Sequence, residues 1–306
     1  MDVIFLTEQS LNGLQFGLML FLLAAGLTLV FGIMDMINLA HGSLYMIGAY
    51  LAAALTTYSG SFVLGVAGSL AGTAVIGVAL EITLLRTLYE RDHLSQVLAT
   101  FALILILNEV VRLIWGPQPV ALNLPEALSG PVEVIPGLTY PIYRLLIIGV
   151  GIAVALLLYF LVSHTRVGMW VRAGASNREM AMAMGVNVRG LFTAVFAVGA
   201  ALSALAGAML GPLLAVQVGM GESILILAFV VIVVGGIGSI RGAFVGAIVV
   251  GVVDTVGRTI LPMTLREVFS PQVASNLGPA LASILIYVLM AGVLFWRPQG
   301  LFPARG

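Results

Sequence analysis

From Met36 to Leu80 the chain carries no Asp, Glu, Lys or Arg. That stretch is long enough for two helices across a bilayer core, each needing about 20 apolar residues. The rest of the chain follows suit. Hydrophobic residues make up 61% and charged residues 8%, with a mean hydropathy of +1.15. Soluble domains carry roughly 25% charge. A chain with so few charges cannot coat a water-facing surface, so the bilayer must replace water around most of it.

Composition also excludes several chemistries. The formal net charge is zero, and no basic patch points to nucleic acid. All 13 basic residues are Arg. Without Lys there is no P-loop of the form G-x-x-x-x-G-K-[ST], and no Schiff-base cofactor. Without Cys there is no disulfide, thiol redox or Cys-ligated metal. The histidines, His41, His93 and His164, are far apart. There is no H-E-x-x-H, no G-x-S-x-G and no cluster of His, Asp and Glu. No cofactor, metal or catalytic role is therefore expected. The start, Met1 to Glu8, lacks the basic region of a cleaved signal, so the first apolar run is expected to stay in the membrane.

Apolar runs fall at about 11–33, 37–58, 61–85, 94–115, 141–163, 190–210, 223–240, 242–260 and 278–296. The chain reads as an all-α polytopic bundle of about eight or nine spans, a single membrane domain over 1–306. The runs 223–240 and 242–260 are short and broken by glycines, so one of them is a candidate re-entrant segment. The sequences Ile47-Gly48-Ala49 and Val245-Gly246-Ala247 each follow a Gly-containing break, a faint internal echo of the kind seen in transporters built from paired broken helices. Arginines gather in three places: Arg86 and Arg91; Arg166, Arg172, Arg178 and Arg189; Arg297 and Arg305. Arg-rich short loops stay cytoplasmic. With the N-terminus outside, nine spans put all three groups inside. They put the Pro-rich loop 116–143 outside, and the Arg258/Arg266 pair is a mild exception.

Polar residues interrupt the apolar runs in a few places. Asp35, Asn38, His41 and Ser43 lie together after Gly32, with Tyr45 following. Such groups at membrane depth face a cavity or a partner; the alternative is an interfacial turn with Asp35 solvated. Asn38, His41 and Tyr45 would share a face if the stretch were helical. Gly235, Gly236 and Gly238 make a second break, serving either close backbone approach to a solute or helix packing. Glu109 and Arg112 are spaced to pair on one helix face. Between 164 and 189, Ser176 or Asn177 can cap a short helix that starts at Arg178 and ends at Gly185. Its methionines suit an adaptable docking surface; the alternative is a basic loop that only fixes topology.

These residues resemble a known family. The run Gly26–Tyr50, with Asn38-Leu39-Ala40-His41-Gly42-Ser43-Leu44-Tyr45, is similar to the permease subunits of branched-chain amino acid ABC importers, the LivH type. So are Glu81–Arg91, Arg172–Asn187 and Gly235–Gly246. The pattern Glu179-x-Ala181-x-x-x-Gly185 resembles the loop by which such permeases contact their ATPases, although Met180 stands where the pattern has a second Ala. The resemblance implies residence in the inner membrane beside a second, LivM-like permease, two cytoplasmic ATP-binding subunits and an extracytoplasmic solute-binding protein. The polar groups and helix breaks at membrane depth put Asn38, His41, Tyr45, Gly235, Gly236 and Gly238 near the translocation path. The resemblance implies that Arg178, Glu179, Ala181, Met182 and Gly185 belong to the coupling segment. Branched-chain or other hydrophobic amino acids are the expected solutes, with urea, short amides or small carboxylates as the alternative within the family. A self-sufficient carrier or channel is the alternative outside it.

Overall fold

The first helix is the longest. In the computed structural model, which describes residues 3–302, α1 runs from Val3 to Met34, its first eight residues lying ahead of the apolar run 11–33. It is followed by α2 (His41–Ser59), α3 (Phe62–Thr83), a short 3-10 turn (Leu85–Leu88) and α4 (His93–Trp115). Next come α5 (Glu126–Ser129), strands β1 (Pro131–Ile135) and β2 (Leu138–Pro141), then α6 (Ile142–His164) and α7 (Arg166–Ser176). The chain ends in α8 (Arg178–Ala183), α9 (Val188–Leu210), α10 (Met220–Gly235), α11 (Ile240–Leu265) and α12 (Pro271–Trp296). Met1, Asp2 and Arg305 lie outside the described residues.

Each expected apolar run coincides with a helix. Among the described residues seven helices are long and apolar enough to cross a membrane: α1, α3, α4, α6, α9, α11 and α12. The other two are α2, largely buried in protein, and α10, with 16 residues. At 1.5 Å per residue α10 is about 24 Å long, short of a hydrocarbon core of about 30 Å.

α1 and α9 are enclosed by their neighbours, whereas α6 and α12 expose most of their surface. Lipid gives no hydrophobic drive between helices, so close packing rests on small residues. Gly13 and Gly17 of α1 face Ala247 and Gly251 of α11; a Cβ at Gly17 would lie 2.7 Å from the Ala247 carbonyl. α2 crosses α9 in the same way. Gly48 meets Ala204, and Gly207 meets the Tyr45 carbonyl, each too close for a side chain. Gly199, Ser203 and Gly207 repeat every four residues, giving α9 the small-residue stripe that receives α2.

The loop 116–143 is ordered, as its Pro- and Gly-rich composition suggests. It holds the β1–β2 hairpin, turned at Pro136-Gly137 with Gly137 at φ +86°, as a Pro-Gly turn requires. The hairpin is tied to the start of α1: Tyr140 donates to Asn12 Oδ1 at 3.0 Å, and Arg144 donates to the same atom. At the opposite end of the bundle Arg86, Arg178 and Arg241 gather, with the C-termini of α1 and α3 and the N-terminus of α9. There Arg241 lies over the Tyr159 ring, 5.2 Å from its centroid.

Candidate translocation and coupling sites

The chain breaks between α1 and α2. Asp35 accepts a left-handed conformation, φ +50°, that Asp and Asn tolerate better than most residues, and this stops α1 sharply. Asn38 then folds the chain back: its side-chain oxygen accepts from the Ala40 amide at 3.0 Å. Other elements satisfy the broken backbone. Gln96 of α4 accepts from the Ile37 amide at 3.3 Å, and Thr100 accepts from the Leu39 amide at 3.3 Å. Helix α2 starts only at His41, so Asn38 lies outside it, while His41 and Tyr45, four apart, share a helical face.

Asn38, His41 and Tyr45 are all buried. His41 Nε2 lies 2.8 Å from Ser203 Oγ, which donates to the Gly199 carbonyl at 3.0 Å. Gly26 of α1 also packs on that imidazole; a Cβ there would stand 2.9 Å from Nε2. The first turn of α2 thus reaches Ser203, about 22 Å from the start of α9. The Asn38 amide nitrogen is buried without a hydrogen-bond partner. A buried, unpaired donor calls for a reason, since leaving one costs about 1–3 kcal/mol.

The second break lies elsewhere. Gly236 and Gly238 have φ of +110° and +80°, and a Cβ on Gly32 of α1 would meet Gly238 Cα at 3.2 Å. The last described residues fill this break: Leu301 and Phe302 donate their amides to the Val234 and Gly235 carbonyls at 2.9 and 2.8 Å. Gly235 packs directly on Gly242 of α11. The glycine break therefore sits beside the last turn of α1 and does not reach His41 and Tyr45.

The segment 164–189 forms two helices where the sequence suggested one. Thr165 caps α7, its Oγ1 accepting from the Gly168 amide at 3.3 Å. Asn177 caps α8 by accepting from the Met180 amide at 2.9 Å, and Gly185 ends it at φ +87°. Glu179, Met180, Met182 and Met184 are exposed, Ala181 is buried, and Arg178 turns inward to the end of α1.

A buried carboxylate organises the neighbouring loop. Glu81 is fully buried at the end of α3. Arg86 meets it with two hydrogen bonds of 3.2 and 3.0 Å. The Tyr89 hydroxyl donates to it at 2.9 Å and Thr193 of α9 at 2.8 Å. Burial and the neighbouring carboxylate push the Tyr89 phenol well above its ordinary value. Gln96, Thr100, Thr193 and Ser203 are not among the residues that the sequence pattern picks out.

With this geometry in view, residues 9–294 match the family model described as branched-chain amino acid transport system / permease component. The chain belongs to that permease family. Among its relatives, the high-affinity branched-chain amino acid transport system permease protein BraD of Pseudomonas aeruginosa is 30% identical, over 96% of this chain and 94% of its own. The corresponding LivH of Escherichia coli K12 is 29% identical over 97% of each chain. A more distant relative, the ribose import permease protein RbsC of Escherichia coli K12, is 26% identical over 75% of this chain and 71% of its own. No solved structure matches the chain. Membership agrees with the polytopic helical fold, and a permease of this family with seven long apolar helices is a multi-pass protein of the inner membrane.

Proposed function

We propose that the chain is the non-catalytic, membrane-spanning subunit of an ATP-binding-cassette importer for branched-chain amino acids. The observation that carries this reading is the near full-length likeness to BraD and LivH, whose names state that substrate. In this reading one membrane domain spans the chain and pairs with a second, LivM-like permease. Two cytoplasmic ATP-binding subunits drive it, and an extracytoplasmic binding protein delivers the solute. The lack of Lys agrees, because without a P-loop in this chain the work of ATP must enter from a partner.

The arginine-rich end faces the cytoplasm in this account. There α8, with Glu179 as polar anchor, Met182 and the other methionines as apolar contact and Ala181 and Gly185 shaping the turn, docks on an ATP-binding subunit. The α1–α2 junction stands by the path. Asn38, with its unpaired buried amide, His41 and Tyr45 supply polar groups there, and Gly235, Gly236 and Gly238 form a close-packed wall beside the last turn of α1. Closure of the ATP-binding subunits would tilt the helices and alternate access. Uptake by proteoliposomes holding both permeases, the ATP-binding subunits and the binding protein tests the reading. Leucine, isoleucine and valine should enter and compete with one another, while ribose and urea should not. Preference for ribose or urea would move the substrate assignment within the family.

A further inference from the structure

Arg178 is the first residue of α8, yet it points away from the exposed face. It donates to the Met34 carbonyl and, at 3.4 Å, to the Ile33 carbonyl, the free end of α1. Among the described residues it makes the only side-chain hydrogen bond from α8 to a spanning helix. Its guanidinium also lies over the Phe192 ring, 5.2 Å from the centroid. Phe192 is buried and meets Tyr89 edge-to-face, with centroids 5.5 Å apart. Tyr89 is fixed to Glu81. The same loop holds Gln96, whose amide nitrogen donates to the Leu88 and Arg91 carbonyls, each at 3.1 Å, while its oxygen takes the Ile37 amide.

These contacts close a ring. One side of the break, Ile33 and Met34, hangs from α8 through Arg178. The other side, Ile37, hangs from the 84–92 loop through Gln96. Phe192 and Tyr89 join the two supports. A cation at a helix C-terminus is favourable but screened when exposed; here the guanidinium is half-buried and also stacked, so displacement of α8 must either strain these contacts or carry the α1 terminus along. We propose that Arg178 is a positioning residue that transmits displacement of α8 to the α1–α2 junction, and not a contact for the ATP-binding subunit. This rests on the docking role given to α8 above.

The chain has no Cys, so a single reporter, Asp35→Cys, can be placed in the exposed gap between the two ties. Its reaction with a membrane-impermeant maleimide is followed in inside-out vesicles of the whole complex, with and without ATP and vanadate. The wild-type background should show a nucleotide-dependent change in labelling rate. Arg178→Gln should abolish that change and lower uptake per ATP hydrolysed about tenfold, within the range of a coupling energy between two sites. The ATP-binding subunits should still co-purify and hydrolyse ATP. Phe192→Leu, which keeps apolar volume and removes the ring, should behave alike, and Arg178→Lys should restore part of the change. If both Arg178→Gln and Phe192→Leu keep the nucleotide-dependent labelling, or if Arg178→Gln releases the ATP-binding subunits, the inference is overturned. Failure of the wild-type chain to recruit an ATP-binding subunit would instead overturn the docking reading on which it stands.

Discussion

Glu81 shows how a charge is kept inside an apolar bundle. Its two oxygens take four hydrogen bonds, from Arg86, Tyr89 and Thr193, so no lone pair is left facing hydrocarbon. Replacing Glu81 with Leu removes the acceptor and leaves the Tyr89 and Thr193 hydroxyls in part-buried surroundings without it. The variant should insert but lose thermal stability in detergent, read as an earlier loss of monodisperse protein on heating. Equal stability would show that water serves these groups as well. At the junction, Asn38→Ala and His41→Ala should lower uptake more than they lower stability, and uptake and melting measured on the same preparations separate the two effects. The reason for reading Asn38 and His41 from sequence was that they interrupt an apolar run. Gln96, Thr100 and Ser203 gave no such signal, because a single polar residue in a helix reads as tolerated. What could have exposed them is spacing: Gln96 and Thr100 are one turn apart, and Ser203 continues the Gly199–Gly207 repeat.

Elements follow the same divide. Spans were legible because length and apolarity alone define them. The cap of α8 was legible because Asn177 and Gly185 carry local signals, and both act as such. The β1–β2 hairpin and α7 were not. Both depend on what they lie against, the start of α1 for the hairpin and α6 with the end of α1 for α7, and neither has a long period to betray it. Two predictions belong here. Glu179→Arg with Met182→Arg should weaken association with the ATP-binding subunit by about 2 kcal/mol, roughly thirtyfold, while the permease pair remains intact. Co-purification and ATP-dependent uptake both report this; wild-type values would leave α8 as a topogenic loop. Gly48→Val or Gly207→Val should force α2 and α9 apart at a cost of about 1–3 kcal/mol, seen as a lowered midpoint of thermal unfolding. Full stability would mean that the crossing relaxes without cost.

For the molecule as a whole, the arginine distribution predicts which side each loop occupies; Arg86 and Arg178 meet at the end where α1 and α3 finish, whereas Arg144 bonds Asn12 toward the other end. A single Cys at position 178 or 297 should label from the cytoplasmic face only, and one at position 133 in the hairpin from the outside only. What could not be read from sequence is how the spans pack: helices of almost uniform apolarity carry little directional pattern, and only the glycine stripes choose their partners. The central claim is that this chain moves amino acids only when another chain hydrolyses ATP. Its most direct test is leucine uptake by proteoliposomes containing the assembled complex, with ATP or a non-hydrolysable analogue on the side of the ATP-binding subunits. The account predicts concentrative uptake with ATP, none with the analogue, and none from the permease pair alone under an imposed ion or proton gradient. Gradient-driven accumulation by the permeases without ATP-binding subunits would contradict it and identify a self-sufficient carrier.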